Sequence, residues 1–234
     1  MNIQKALYLI VILIIVCSCT NKTINGNGVV IQQVRELKGF NRINVNGSFK
    51  VFLAKADSAK FTIVADSNLM AVINTKVVDS VLIVENLQTI LTSKELKLIV
   101  TCPNLKSIDF TGATEIEGDS GLVYKSLTLN ISGAGKILLN LQTDSLKANI
   151  SGGANIILSG KTQNLDISIS GAGKVGAKKF ESKSAKMEIL GLGEAELNVT
   201  EKLNATISGL GKIEYIGDPE VHQNILGGGK VVKK

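Results

Sequence analysis

The sequence predicts an all-β fold: a right-handed parallel β-helix-like solenoid of about 19-residue coils, with an irregular N-terminal β portion. Three observations predict it. First, a unit of the form Leu-x-x-x-Ile-Ser-Gly-small-Gly-Lys recurs six times, anchored on Gly133, Gly152, Gly171, Gly191, Gly209 and Gly227 at spacings of 19, 19, 20, 18 and 18 residues. A fixed period of this size is the signature of a repeat architecture. Second, an isoleucine stands two residues before each of those glycines: Ile131, Ile150, Ile169, Ile189, Ile207 and Ile225. Third, the 234 residues hold 23 Gly, 2 Pro, no Trp and only 4% aromatics, which suits stacked strands better than a core of interlocking rings.

The elements follow in chain order. Lys5 precedes an unbroken apolar run, Ala6–Val16, that is too short to span a bilayer. It ends in Val16-Cys17-Ser18-Cys19, which resembles a bacterial lipobox. Residues 1–18 are therefore expected to be a lipoprotein signal peptide, with Cys19 lipidated (palmitate among its acyl groups). An ordinary secretory signal with a chance cysteine is the alternative; the position of Cys19 favours the lipobox. A diacylglycerol thioether plus an amide-linked chain supplies the several lipid chains that stable anchoring needs. Cys102 is then the remaining thiol, so no intrachain disulfide forms, and its setting in Leu98-Ile-Val-Thr-Cys-Pro103 reads as a small buried hydrophobe at a strand end.

Residues 19–28 are polar and Gly/Asn-rich after the cysteine and read as a lipidated tether. The rest, 29–234, is predicted to be one domain, with repeats over 105–234. Apolar residues at 43, 45, 49, 51 and 53 alternate in the β manner, and Phe61–Ala65, Lys76–Val78, Val81–Glu85 and Leu96–Thr101 are strand candidates rich in β-branched residues. Segments 66–75 and 86–95 are ambiguous; a short helix at Ser67–Asn74 is compatible but not required. A degenerate copy of the unit begins at Ile108 and carries Gly112.

Within the six good copies, the positions six, four and two before the glycine share one strand face. The first holds Leu127, Leu146, Leu165, Ala185, Leu203 and Val221; the second holds Leu129, Ala148, Ile167, Met187, Ala205 and Gln223. The positions between them are mostly polar. A second inward row starts four residues after the glycine, at Ile137, Ile156, Val175, Ala195, Ile213 and Val231. Each unit is thus two short strands joined at a tight glycine corner. An antiparallel meander of hairpins competes with the solenoid, but gives no reason for identity at every inward position. The last copy places Gln223 and Lys233 in inward rows, as expected of an atypical terminal cap.

Three features occur together: Gly26-Asn-Gly-Val-Val with Phe40-Asn-Arg-Ile-Asn-Val-Asn-Gly-Ser-Phe-Lys-Val; Thr101-Cys-Pro-Asn-Leu-Lys-Ser-Ile with Thr111-Gly-Ala; and the Ser-Gly-Ala-Gly-Lys units. In these the chain resembles the family described as "putative auto-transporter adhesin, head GIN domain", a domain of unknown function in Bacteroidetes envelope proteins. The resemblance covers roughly residues 29–217. It implies a β-helix-like fold in an envelope lipoprotein or secreted protein, and brings no catalytic residues with it.

Several chemistries are set aside. Net charge is +6, but Lys and acidic residues are interspersed and Arg occurs only at Arg35 and Arg42, so no nucleic-acid partner is expected. The one histidine, His222, lies at an outward position, and no metal, cofactor or catalytic site is expected. Gly171-Ala-Gly-Lys-Val-Gly176 matches G-x-G-x-x-G only literally, because a repeat copy surrounds it and no helix follows. The Gly-Lys pairs lack the Ser or Thr of a phosphate loop, and no Asp follows the glycines as calcium-binding nonapeptides require. The pairs Glu115/Glu117 and Glu194/Glu196 are the carboxylates that acid/base work would use. Asp57-Ser58-Ala59, Asp79-Ser80-Val81 and Asp144-Ser145-Leu146 resemble short O-glycosylation sites.

The remaining row is the residue after each turn: Lys136, Asn155, Lys174, Glu194, Lys212 and Lys230. Stacked, it forms a ridge whose lysines Lys136, Lys174, Lys212 and Lys230 are a candidate anionic-ligand site, against the plainer reading of a solvated edge that discourages aggregation. The expected function is a non-catalytic, adhesin-like binding or structural role; an enzyme acting on envelope or extracellular polysaccharide is the alternative. Expected partners are the membrane, through the lipid anchor, and a glycan or envelope protein. The expected address is the outer membrane, periplasm-facing, with the cell surface as the other option.

Overall fold

A computed structural model describes residues 22–37 and 39–234. The signal peptide and Cys19 lie outside the described residues. The fold is all-β. Its strands are β1 (Thr23–Asn25), β2 (Val30–Arg35), β3 (Arg42–Ala54), β4 (Lys60–Asp66), β5 (Ile73–Val78), β6 (Val81–Asn86), β7 (Thr89–Thr92), β8 (Leu96–Thr101), β9 (Ser107–Gly118), β10 (Leu122–Ile216), β11 (Glu220–Gly227) and β12 (Lys230–Lys233). A single 3-10 turn, Ser67–Leu69, stands where a short helix was compatible with the sequence. The main sheet is open and runs β11-β10-β9-β3-β8-β4-β2, and β1 pairs with β7 alone.

The Gly-anchored half pairs in parallel. Thr128 lies opposite Ser107, Lys202 opposite Glu220, and Lys212 opposite Lys230. These ladders are not those of an antiparallel meander. Within β10 the chain turns at its glycines and stacks on itself. Gly152 shows why: its φ is +122°, and an added Cβ would stand 2.2 Å from the carbonyl oxygen of Gly133. Backbone thus packs on backbone at the corner, where only glycine leaves room. The same contact links Gly171 to Gly152, Gly191 to Gly171, Gly209 to Gly191 and Gly227 to Gly209.

The stack also extends to the N-terminal side, beyond what the sequence showed. Gly133 sits on Gly112, and Gly112 sits on Gly47 of β3. β3 and β9 are in continuous parallel register from Arg42↔Ser107 to Leu53↔Gly118. Gly47 went unrecognised because some 50 residues, β4 to β8, intervene before the next corner, so the short period is broken there.

Burial follows the expected rows. Ile131, Ile150, Ile169, Ile189 and Ile207 are buried, as are Leu127, Leu146, Leu165, Ala185 and Leu203 on the same face. Ile137, Ile156, Val175, Ala195 and Ile213 bury the second row. Each such Leu, Ile or Val side chain stabilises the fold by roughly 1.5–3 kcal/mol when fully buried. Gln223 and Lys233 depart from the inward expectation: both are exposed, because β11 and β12 lie at the outer end of the sheet order. On the outward face the polar positions form their own ladder, in which Asn149 Nδ2 donates to Asn130 Oδ1 at 2.7 Å and Asn130 Nδ2 to Asp109 Oδ1 at 2.6 Å.

The β4–β8 excursion is built differently. β4 runs antiparallel to both β2 and β8, and β5 and β6 form an antiparallel hairpin. The hairpin turn is Asp79-Ser80, with φ of 48° and 63°. β6 then lies parallel to the first half of β3, and β8 to its second half. The four strand candidates read from sequence in this region correspond to β4, β5, β6 and β8. β7 occupies the ambiguous segment 86–95. Its partner is β1, inside the stretch read as a tether: residues 22–28 are docked on the fold.

Candidate functional site

Two clefts open on the face of the glycine corners. The two positions after Gly133, Gly152 and Gly171 carry only Ala or Gly, whereas the exposed Leu192 and Leu210 stand in that row further along. A strand stack with truncated side chains along one line leaves a shallow trough. Where the trough meets the excursion, Ser93–Leu96 wall it on one side and Phe49 and Thr114 close its floor, giving a cleft of about 880 Å³. Thr114 Oγ1 is held there by donating to the carbonyl of Phe49 at 3.2 Å. Lys50, Lys94, Glu95, Glu115 and Lys136 provide its charged groups.

A second cleft of about 800 Å³ adjoins it and shares Ser48, Ser93 and Leu96. Its lining is polar: Lys22, Asn46, Asn86, Gln88 and Thr89 contribute, and it contains no acidic residue. The side-chain oxygen of Asn86 is buried there without a hydrogen-bond partner among the described residues.

The structure brings the predicted ridge into one row, but not as a run of bare cations. Lys50, Glu115 and Lys136 are register neighbours on β3, β9 and β10. Glu115 accepts from Lys136 at 2.5 Å and pairs with Lys50 at 3.2 Å. The bonds from Lys136, then from Lys50, hold the Glu115 carboxyl below the usual carboxylate range. Lys174 pairs with Glu194 at 3.5 Å, Lys212 pairs with Glu214, and Lys230 has no ion pair among the described residues. The sequence rows alone placed Lys136, Lys174, Lys212 and Lys230 together. They missed Lys50 because its corner, Gly47, lies outside the regular spacing. They missed the neutralising Glu115 because its copy is degenerate, although Thr-Gly-Ala-Thr-Glu115 has the same offset as Ser-Gly-Ala-Gly-Lys136.

One carboxylate of each pair, Glu115 and Glu196, is held by lysines. Glu196 is paired with Lys178 at 2.7 Å and Lys234 at 3.5 Å, and its carboxyl is also held down, chiefly by the bond from Lys178. A general acid at neutral pH needs the opposite shift. Cys102 is buried, donates weakly to the carbonyl of Phe40 at 3.5 Å, and has its thiol pushed up by burial. That is the setting of a core residue, not of a thiolate nucleophile. His222 is exposed beside Glu220, Nε2 to Oε1 being 3.0 Å. No group of three or more His, Cys, Asp or Glu side chains with metal-binding geometry occurs among the described residues, and no helix there is long and apolar enough to cross a membrane.

Fold and surface together define an all-β protein of parallel, ladder-like faces with two joined clefts on its corner face. Residues 39–219 match the family described as "putative auto-transporter adhesin, head GIN domain", and the chain belongs to that family. Solved structures with the same fold include an adhesin-named protein of Bacteroides fragilis, with TM-score 0.76 and 22% identity over 90% of this chain and 100% of that one. Another, from Parabacteroides distasonis and named as a lipid binding protein, has TM-score 0.75 and 20% identity over 91% of this chain and 100% of that one. An adhesin-named protein of Parabacteroides merdae gives TM-score 0.70 and 21% identity over 91% and 99%. At these identities the likeness is one of fold. A comparison with curated proteins finds no match.

Proposed function

We propose that this chain is a cell-envelope lipoprotein, held by acyl groups on Cys19, whose Gly-cornered stack is a right-handed parallel β-helix-like solenoid serving a non-catalytic, adhesin-like binding role. The outer membrane is its proposed address. The observation that carries the binding role is the pair of joined clefts at the corner face, the larger of them lined in part by Ala113, Ala134 and Gly135 and edged by Lys50, Lys94 and Lys136. An extended polar chain fits a trough without tall side chains, and lysines along its edge favour an anionic one. The proposed ligand is an acidic glycan of the envelope or extracellular matrix. Carboxylates held ionised by lysine pairs, as at Glu115 and Glu196, favour binding over hydrolysis.

The test is binding of the full chain to acidic capsular polysaccharide. Combined Lys136→Glu, Lys174→Glu and Lys212→Glu substitution should weaken it about tenfold, the change that about 1.4 kcal/mol produces. Unchanged affinity would remove the ridge from the proposal. New reducing ends after incubation with the polysaccharide would put the enzyme reading in its place.

A further inference from the structure

We infer that the β1–β7 end of the domain is a membrane-contact surface, seated on the bilayer that holds the acyl chains of Cys19. This rests on the lipoprotein reading above and adds to it an orientation and a contact face.

The first support is the short reach of the chain. The stretch after Cys19 is docked from Lys22 onward. The Lys22 carbonyl accepts from the Thr89 amide at 3.0 Å, and Thr23 and Ile24 continue in parallel register with Thr89 and Ile90. Gly26 N donates to the Thr92 carbonyl at 2.8 Å, and Asn27 bonds through its backbone and side chain to Asn68 and Ser67. Ile24 and Ile90 pack against the hydrophobic core. Only Thr20 and Asn21 lie between Cys19 and Lys22. Three residue steps reach about 10 Å when fully extended. A lipidated Cys19 therefore keeps Lys22 within about 10 Å of the headgroup layer.

The second support is what surrounds Lys22. Leu87 and Leu91 flank Thr89, two residues to either side, and are 63% and 58% exposed. Leu87 is fixed in place by its amide, which donates to the Val72 carbonyl at 2.8 Å. The adjoining cleft is polar, carries Lys22 and no acid, and so suits anionic headgroups. Two exposed leucines beside a lysine and polar amides form the mixed apolar and cationic surface that sits at a bilayer interface.

The experiment uses the full lipidated chain, reconstituted in vesicles of phosphatidylethanolamine and phosphatidylglycerol, in a Cys102→Ala background. Single Leu87→Cys, Leu91→Cys and Leu226→Cys variants each carry an environment-sensitive fluorophore. Leu226 is the control: it is 62% exposed and adjoins Gly227, seven corner steps from Gly47. At about 4.8 Å per step this is about 34 Å away along the stack. Labels at 87 and 91 should shift their emission to shorter wavelength and be quenched by spin-labelled headgroup-region lipid, while the label at 226 stays in water. If labels at 87 and 91 remain aqueous on vesicle-bound, acylated protein, the contact face is wrong and the anchor stands. If the label at 226 enters the lipid as well, the end-on seating is wrong. Intact mass showing an unacylated Cys19 would bring down the anchor and this surface together.

Discussion

The stack of glycine corners and the β4–β8 excursion are both built from strands, by opposite routes. In the stack every partner is set by one rule: the next corner lands on the previous one, and side chains follow in parallel register. In the excursion each strand finds a different partner, antiparallel for β2–β4, β4–β8 and β5–β6, parallel for β3–β6 and β3–β8. The regular part supplies uniform faces and the irregular part supplies relief. The larger cleft lies where they meet, with Ser93–Leu96 against Phe49, Ala113 and Ala134. The repeat alone carries the lysine row, and its interruption adds the larger cleft.

This difference also explains what was legible. Ile131 through Ile207 could be placed in the core from sequence because each row is a local period with a fixed offset from a glycine. The strands of the excursion could be found, since Phe61–Ala65 or Leu96–Thr101 are locally β-rich, but their order could not. That order depends on pairings between residues far apart, such as Lys60 with Thr101. β7 and β1 were missed for the same reason: short polar strands such as Thr23-Ile-Asn25 show no local signal until they meet. The ridge residues were readable, while the charges that neutralise them were only half so, because Glu115 belongs to a degenerate copy and Glu214 stands outside the ridge row, two residues beyond Lys212.

The largest effect that could break the comparison comes from two adjacent glycines. Gly152→Ala places a Cβ 2.2 Å from the Gly133 carbonyl oxygen at a φ of +122°. Backbone cannot yield there without displacing the next corner, so a loss of more than about 4 kcal/mol, or failure to fold, is expected. Gly153→Ala meets nothing closer than the Ala172 carbonyl at 3.7 Å, with φ in the ordinary range, and should fall within about 0.5 kcal/mol of wild type. Urea unfolding of both proteins measures the contrast. Equal losses would mean that the corners are not held by backbone contact.

A smaller effect of opposite sign belongs to the excursion. Asp79 and Ser80 are the non-glycine residues with positive φ among those described. The two-residue turn of the β5–β6 hairpin needs this conformation to match the strand twist. An L-residue in it costs about 1–2 kcal/mol, part of which glycine gives back through its greater freedom when unfolded. The Ser80 carbonyl accepts from the amides of Asn41 and Arg42 at 3.0 and 3.2 Å, bonds that do not involve its side chain. Ser80→Gly should therefore stabilise the protein by about 0.5–1 kcal/mol, raising the urea midpoint at constant slope. At the corners of the stack, glycine is required and alanine ruinous; in the excursion, glycine is absent and would help. A fall in midpoint would show that the serine hydroxyl contributes to the turn.

The last effect concerns the other end of the stack and is read as a slope in acid. Glu214 is 8% exposed and pairs with Lys212 and, at 2.6 Å, with Lys234. The bonds from Lys212 and then Lys234 lower its carboxyl from the ordinary 4.5 to about 2. Its folded value lies below its unfolded one, so between these limits the unfolded chain binds more protons and stability rises with pH. The contribution is complete above about pH 4.5 and drains away as pH falls toward about 2. Glu214→Gln should leave a flatter acid limb over that window when urea midpoints are measured at successive pH values. Glu115 is lowered in the same direction by Lys136 and Lys50 at the cleft, so Glu115→Gln should flatten the limb too. If it does not, the cleft pair is mobile in solution and its lysines are available to an anionic ligand. If it does, ligand must displace Glu115 from Lys136 to bind, and affinity should rise in the Glu115→Gln protein.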